Sequence, residues 1–413
     1  MPDVFVLDVR LHGKSIGTIT RLADDRTIFT FSEAYIAAPD RPTLSLSFKD
    51  TLGGLITDAA PGRRVPPFFA NLLPEGTLRE YLAERAGVHA DREFFLLWVL
   101  GRDLPGAVTL HPADGEAWPP ANLNGKAKER VVDREAMLRF SLAGVQLKFS
   151  AVQNAGKNGG LTIPAKGVGG DWILKLPSLR FEGVAENEFA MMTLAGRVGI
   201  DVPEISLIDI DQIDGLPPGI GTLKGRAYAV RRFDRSPDGA VHIEDFAQVF
   251  GAYPEGKYKG ASLRSIAHVL GIETDQHSLD EFIRRVTFSI LIGNGDMHLK
   301  NWSLAYPDKR HASLAPAYDF VSTIPYIPDD RLALKPYRSR DFRDVTLREI
   351  ETMAVKAGVS GRLAAKVAAE TVERFLDVWG KEKAHLPLAT TTIAAIDAHL
   401  AKLPIVSGDA KQD

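Results

Sequence analysis

The polar side chains best placed to do chemistry stand in one run, Ile292-Gly293-Asn294-Gly295-Asp296-Met297-His298-Leu299-Lys300-Asn301, directly after an apolar stretch. Asp296 could accept a proton from an attacking hydroxyl, and Asn301, five residues on, offers an amide oxygen that suits a hard cation. A second carboxylate follows in Leu314-Ala315-Pro316-Ala317-Tyr318-Asp319-Phe320, at an expected strand end. Far upstream, Lys175 interrupts the apolar run Trp172-Ile173-Leu174-Lys175-Leu176-Pro177, where an amine must reach solvent or meet an anion. An Asp and an Asn five apart are common in any chain, so the pattern gains weight only from what accompanies it.

Each of these groups needs a rigid support. Leu279, Phe282, Ile283, Val286 and Ile290 recur at helical spacing, which predicts a helix over 278–292, with Ser278 and Glu281 as a capping box and Gly293 and Gly295 as its stop. Trp172, Leu174 and Leu176 share one face of a predicted strand, with Ile173 and Lys175 on the other. The stripe Met191, Leu194, Ala195, Val198 predicts the next helix and continues N-terminally to Glu188, a candidate partner for Lys175. Earlier, Ser141 to Ser150 is a small-residue loop running into a strand. Such a loop lets backbone N–H groups approach phosphate oxygens with Lys148 adding charge, although an ordinary hairpin entry looks the same. Arg226 to Arg235 reads as a strand passing into an extended connector.

The 413 residues are 45% hydrophobic and 25% charged, with a formal net charge of −3. That balance speaks against dominant nucleic-acid affinity, and the lack of cysteine excludes disulfides and thiolate chemistry. No long apolar run or basic leader precedes the first strand, so a soluble, cytoplasmic chain is expected. Alternating runs such as Val4 to Val9 and Thr43 to Phe48 predict strands. The expected organisation is a β-rich subdomain over 1–112, a linker over 113–130, a mixed region over 131–235, a helical lobe over 236–406 and a disordered tail over 407–413. The fold class is therefore α+β and bilobal.

Small-residue loop, strand lysine, helix glutamate, connector, Asp-x-x-x-x-Asn and a second Asp stand in the order found in protein kinases. Over nearly its whole length the chain also resembles the HipA-type toxin serine/threonine kinases, distant relatives of the eukaryotic protein kinases with an added N-terminal subdomain. The resemblance implies ATP and Mg²⁺ as cofactors, with Asp296 as catalytic base. It assigns Ala143, Gly144, Val145, Gln146, Leu147 and Lys148 to the phosphate-covering loop and Lys175 to the phosphates, with Glu188 as its possible partner. Arg231, Arg232 and Phe233 take the adenine connector; His298, Leu299, Lys300 and Asn301 the nucleotide loop; Tyr318 and Asp319 close the site, with Asn301 and Asp319 as metal ligands. His298 could equally brace the loop. Ser141 stands where relatives autophosphorylate, or is simply a loop hydroxyl. Leu147 replaces a glutamate common in relatives, and Asp319-Phe320-Val321 lacks the glycine of D-F-G. The implied substrate is an aminoacyl-tRNA synthetase, commonly the glutamyl enzyme. The implied partner is a separate HipB-like helix-turn-helix antitoxin through which DNA is reached, and no membrane is involved. A small-molecule kinase and a catalytically silent co-repressor are the alternatives.

Overall fold

Alternating apolar residues place Leu7, Val9 and Leu11 on the buried face of β1 (Phe5–Leu11), the centre of an N-terminal antiparallel sheet. The computed structural model describes residues 5–22, 24–58, 60–113, 148–153, 161–162, 170–178, 180–216 and 224–408. β1 pairs with β2 (Lys14–Arg21) and β4 (Val108–Pro112), and β3 (Thr27–Phe31) completes the order β3-β2-β1-β4. The run 43–48 departs from expectation: Leu46–Phe48 is a short 3₁₀ helix, not part of a strand. Local chemistry overrides the alternation there. Ser45 accepts from the backbone N–H of Ser47, while its hydroxyl and the Leu46 N–H both donate to buried Glu244.

The chain divides into two units. One comprises Met1–Leu176, Ile208–Glu255 and Tyr306–Arg310; the other comprises Pro177–Leu207, Gly256–Ala305 and His311–Asp413. In the first, Phe68, Phe69, Phe95, Leu97 and Leu110 join the β1 residues in one core. A second sheet has β6 (Trp172–Lys175) between β5 (Lys148–Gln153) and β7 (Arg226–Arg231), and the register sets Lys175 opposite both Lys148 and Tyr228.

The second unit is mainly helical: Val184–Val198, Leu263–Glu273, Gln276–Leu291, Leu347–Lys356, Gly361–Glu382 and Thr390–Leu400. Phe288 packs on Phe320 and Phe375 at ring distances of 5.0 and 5.6 Å, which fixes the central helix against the segment that carries Asp319. That helix, expected over 278–292, begins two residues earlier, and its cap is not the Ser278–Glu281 pair. Asp275 caps it by accepting from the Ser278 N–H at 2.9 Å. Ser278 is thereby free to accept from the Leu314 N–H, and Glu281 binds Arg285 and the Asp201 N–H.

Among the described residues no helix is long and apolar enough to cross a membrane. The expected linker lies outside them beyond Ala113, and the tail beyond Gly408; Ser407, expected in that tail, instead closes the helix Pro404–Ser407.

Candidate active site

The loop that follows Gln276–Leu291 is built by short-range bonds. Gly293 takes a left-handed φ of 63°, and a Cβ there would press on Ile324 at 2.6 Å. Asn294, buried, donates its N–H to Ser289 O and accepts from the Asp296 N–H at 3.0 Å. Gly295 donates its N–H to the Thr323 hydroxyl at 2.8 Å, and that hydroxyl also reaches Asp330. A Cβ on Gly295 would lie 2.1 Å from the Asp330 carboxylate, so a larger residue there would have to displace Asp330 and its bond to Thr323.

On this scaffold Asp296 keeps its side chain in contact with solvent. The Tyr258 hydroxyl donates to its Oδ1 at 2.7 Å, and the Asn301 Nδ2 donates to its backbone carbonyl at 2.9 Å. The Asn301 bond identifies the two ends of that amide and turns Oδ1 the other way, where it can serve as an oxygen ligand. The Asp296 carboxyl is held above the ordinary carboxylate range. Loss of solvation in the crowded loop is the main cause, and the charges of Asp319 and Asp330 add to it against the Tyr258 bond and Lys257.

Asp319 adopts a left-handed φ of 59°, uncommon outside glycine. Its neighbours are fastened on both sides. The Tyr318 hydroxyl donates to Lys300 O at 2.9 Å and contacts Ser303 Oγ at 2.5 Å. Buried Arg285 donates to Ala315 O at 2.6 Å, and Asn187 grips the Ser322 backbone from both sides, its Nδ2 donating at 2.9 Å and its Oδ1 accepting at 3.0 Å. Leu299 is buried, with its N–H donated to Lys257 O, and the His298 ring meets the Tyr258 ring edge-on at 5.1 Å. Asp296, His298, Leu299, Lys300, Asn301, Tyr318 and Asp319 therefore belong to one locality of the second unit.

The other expected residues are described within their own surroundings. Lys175 is buried, its Nζ 5.5 Å from the centroid of the Tyr228 ring. Glu188 is buried on Val184–Val198. Arg231 is exposed and Phe233 half-buried, whereas the Arg232 guanidinium is buried and held by Asp234 at 2.9 Å and Asp103 at 3.1 Å, and its N–H is donated to Asp171 O. Ser141, Ala143, Gly144, Val145, Gln146 and Leu147 lie outside the described residues; Lys148 is described only in its backbone pairing.

No sequence pattern signals Tyr258, Thr323, Asp330 or Asn187, which sit in polar stretches or on a helix legible only by its apolar stripe. Among the described residues no group of three or more carboxylate or imidazole side chains could hold a metal ion alone. The oxygens of Asn301 and Asp319 instead suit Mg²⁺, which dehydrates reluctantly and is commonly bound by one or two protein oxygens together with phosphates.

Two family models match the chain, the HipA N-terminal domain over residues 7–111 and the HipA-like C-terminal domain over 140–379. The candidate kinase Y4dM of Sinorhizobium fredii is 58% identical over 97% of both chains. The serine/threonine-protein kinase toxin HipA of Shewanella oneidensis is 26% identical, covering 78% of this chain and 76% of its own. The solved structure of HipA with HipB and operator DNA from Shewanella oneidensis matches with a TM-score of 0.69 at 20% identity, covering 97% of this chain and 96% of that one.

Proposed function

The chain belongs to the HipA family and has its α+β kinase-like fold, and from that premise we propose that it is an ATP-dependent serine/threonine protein kinase. The observation that carries the reading is the locality around Asp296, where one loop and one strapped segment supply a candidate base and two oxygen ligands. Asp296 orients the acceptor hydroxyl and takes its proton as the phosphoryl group transfers; an elevated carboxyl pKa brings a base nearer to that task at neutral pH. Asn301 and Asp319 hold Mg²⁺, which supplies neutralisation of phosphate charge when bound. Lys175 steadies the nucleotide phosphates, Lys148 and Lys300 add positive charge, and Glu188 is the candidate partner of Lys175 by its place in the sequence. Arg231 and Phe233 serve the adenine; the side chain and N–H of Arg232 are engaged within the protein and its carbonyl accepts from the Arg235 N–H at 3.4 Å, so Arg232 serves by holding the connector in place.

The kinship with the Shewanella oneidensis toxin supports a toxin role, and the complex of that protein with HipB and DNA supports a HipB-like antitoxin as separate partner. An aminoacyl-tRNA synthetase, the glutamyl enzyme first, is the proposed substrate in the cytoplasm, with Ser141 as a site of autophosphorylation.

The test is expression of the full chain and of Asp296→Asn in a host without the antitoxin, with phosphopeptide mapping and labelled ATP. Growth arrest and a synthetase phosphosite, both lost in the variant, are expected. Label entering only metabolites would establish the small-molecule reading, and arrest by both proteins would establish toxicity without catalysis.

A further inference from the structure

The loop before Leu263–Glu273 carries Lys257 and Tyr258, which no feature of the motif pattern singled out. It is clipped to the catalytic loop at three levels. The Leu299 N–H donates to Lys257 O at 3.1 Å, the Tyr258 ring meets His298 edge-on at 5.1 Å, and the Tyr258 hydroxyl donates to Asp296 Oδ1 at 2.7 Å. From behind, the Arg340 guanidinium donates to Tyr258 O at 3.0 Å, fixing the backbone of the tyrosine. Tyr258 remains 37% exposed, so its ring is open to solvent beside the base instead of filling a core.

The consequence concerns the carboxylate. Backbone bonds hold Asp296 at its N–H and its C=O, but they leave rotation about the side-chain bonds open. Among the described residues, the Tyr258 hydroxyl is the one hydrogen bond to the carboxylate itself. A base that must meet an acceptor hydroxyl within hydrogen-bond reach loses rate when its rotamer is undefined. We propose that Tyr258 is a positioning residue for Asp296, holding Oδ1 so that Oδ2 is presented to the acceptor hydroxyl. This inference rests on the reading of Asp296 as the base. Tyr258 exchanges no proton with the substrate; it acts through the geometry of the carboxylate.

Tyr258→Phe removes the hydroxyl and keeps the ring against His298, and Asp296→Asn and the double variant complete a cycle. Transfer of label from ATP to the chain itself is measured under single-turnover conditions and to casein in the steady state, with binding of a fluorescent ATP analogue and melting temperature alongside. The expected result is a ten- to hundred-fold loss of kcat in Tyr258→Phe with the KM for ATP, analogue affinity and melting temperature unchanged. On the Asp296→Asn background the same change should have no further effect on residual transfer. Wild-type kcat in Tyr258→Phe, a rise in kcat, or the same fold-loss with and without Asp296 would each overturn the inference. Absence of transfer by the wild-type chain, or full activity of Asp296→Asn, would instead sink the underlying reading and take the inference with it.

Discussion

Two clusters in this molecule put buried or crowded aspartates to opposite ends. In the first unit, Arg232 is bound bidentately by Asp234 and also by Asp103, and Arg235 repeats both contacts at 2.9 and 3.0 Å. Burial works against all of these charges, yet Asp234 is held below its usual range because Arg232 and Arg235 outweigh the lost solvation. Around Asp296 the balance has the other sign: lost solvation and neighbouring carboxylates push the acid up. Paired charges of both signs seal a fold. Acids gathered beside acids raise the free energy of the loop and suit it to a cation or a proton that arrives with substrate.

The contrast can be broken most forcefully at the acids. Asp296→Asn keeps the loop bonds at the N–H and C=O and removes the proposed base, so phosphoryl transfer should drop by about 10³-fold, roughly 4 kcal/mol on the barrier, with the melting temperature held or raised. Radiometric transfer and calorimetry on one preparation check both halves; a destabilised variant would show that the acid serves the fold.

At the paired cluster the effects should exchange places. Asp103→Ala leaves Arg232 and Arg235 short of a partner in a buried setting, and unfolding by urea should show a loss of about 3 kcal/mol. Single-turnover chemistry at a temperature where the variant stays folded should be nearly unchanged. A variant of wild-type stability would place the cluster among ornamental ion pairs.

Legibility follows the range of the forces involved. The helix leading to Asp296 is readable because its apolar stripe is local, and the β1 and β6 strands because alternation is local. Its cap was misread: Ser278 and Glu281 fit a capping box, but Asp275 captured the first turn, and tertiary contacts took both residues. Thr43 to Phe48 was misread for a related reason, since the partner that reorganises it, Glu244, lies about 200 positions away in sequence. Tyr258, Thr323, Asp330 and Asn187 share that property. Each acts on a residue distant in the chain, and no periodicity records such a pairing.

Glu244 supplies the most delicate variation on the contrast, a buried acid bonded, among the described residues, only to neutral donors. It accepts from the Ser45 hydroxyl at 2.5 Å, the Leu46 N–H at 2.9 Å and the Tyr306 hydroxyl at 2.5 Å, with no cation among them. Burial lifts its pKa from 4.5 to about 7 despite those bonds. Below pH 4.5 the folded and unfolded chains both hold the proton; from there to about 7 the unfolded chain has released it while the folded chain keeps it, so stability falls as pH rises and levels off above. Glu244→Gln cannot titrate and should lack this fall. The difference between wild type and variant should therefore move in the variant's favour by about 2 kcal/mol between pH 5 and 8, other titrations cancelling. Buried His242, its pKa lowered from 6.5 to about 4, adds a slope of the opposite sign up to about pH 6.5, because only the unfolded chain takes up its proton there; that slope is common to wild type and variant and cancels in their difference. Urea unfolding at four pH values measures it. Parallel curves would mean that three neutral donors hold an ionised carboxylate as well as the guanidinium of Arg232 holds Asp234, and the distinction between paired and unpaired acids would lose its energetic basis.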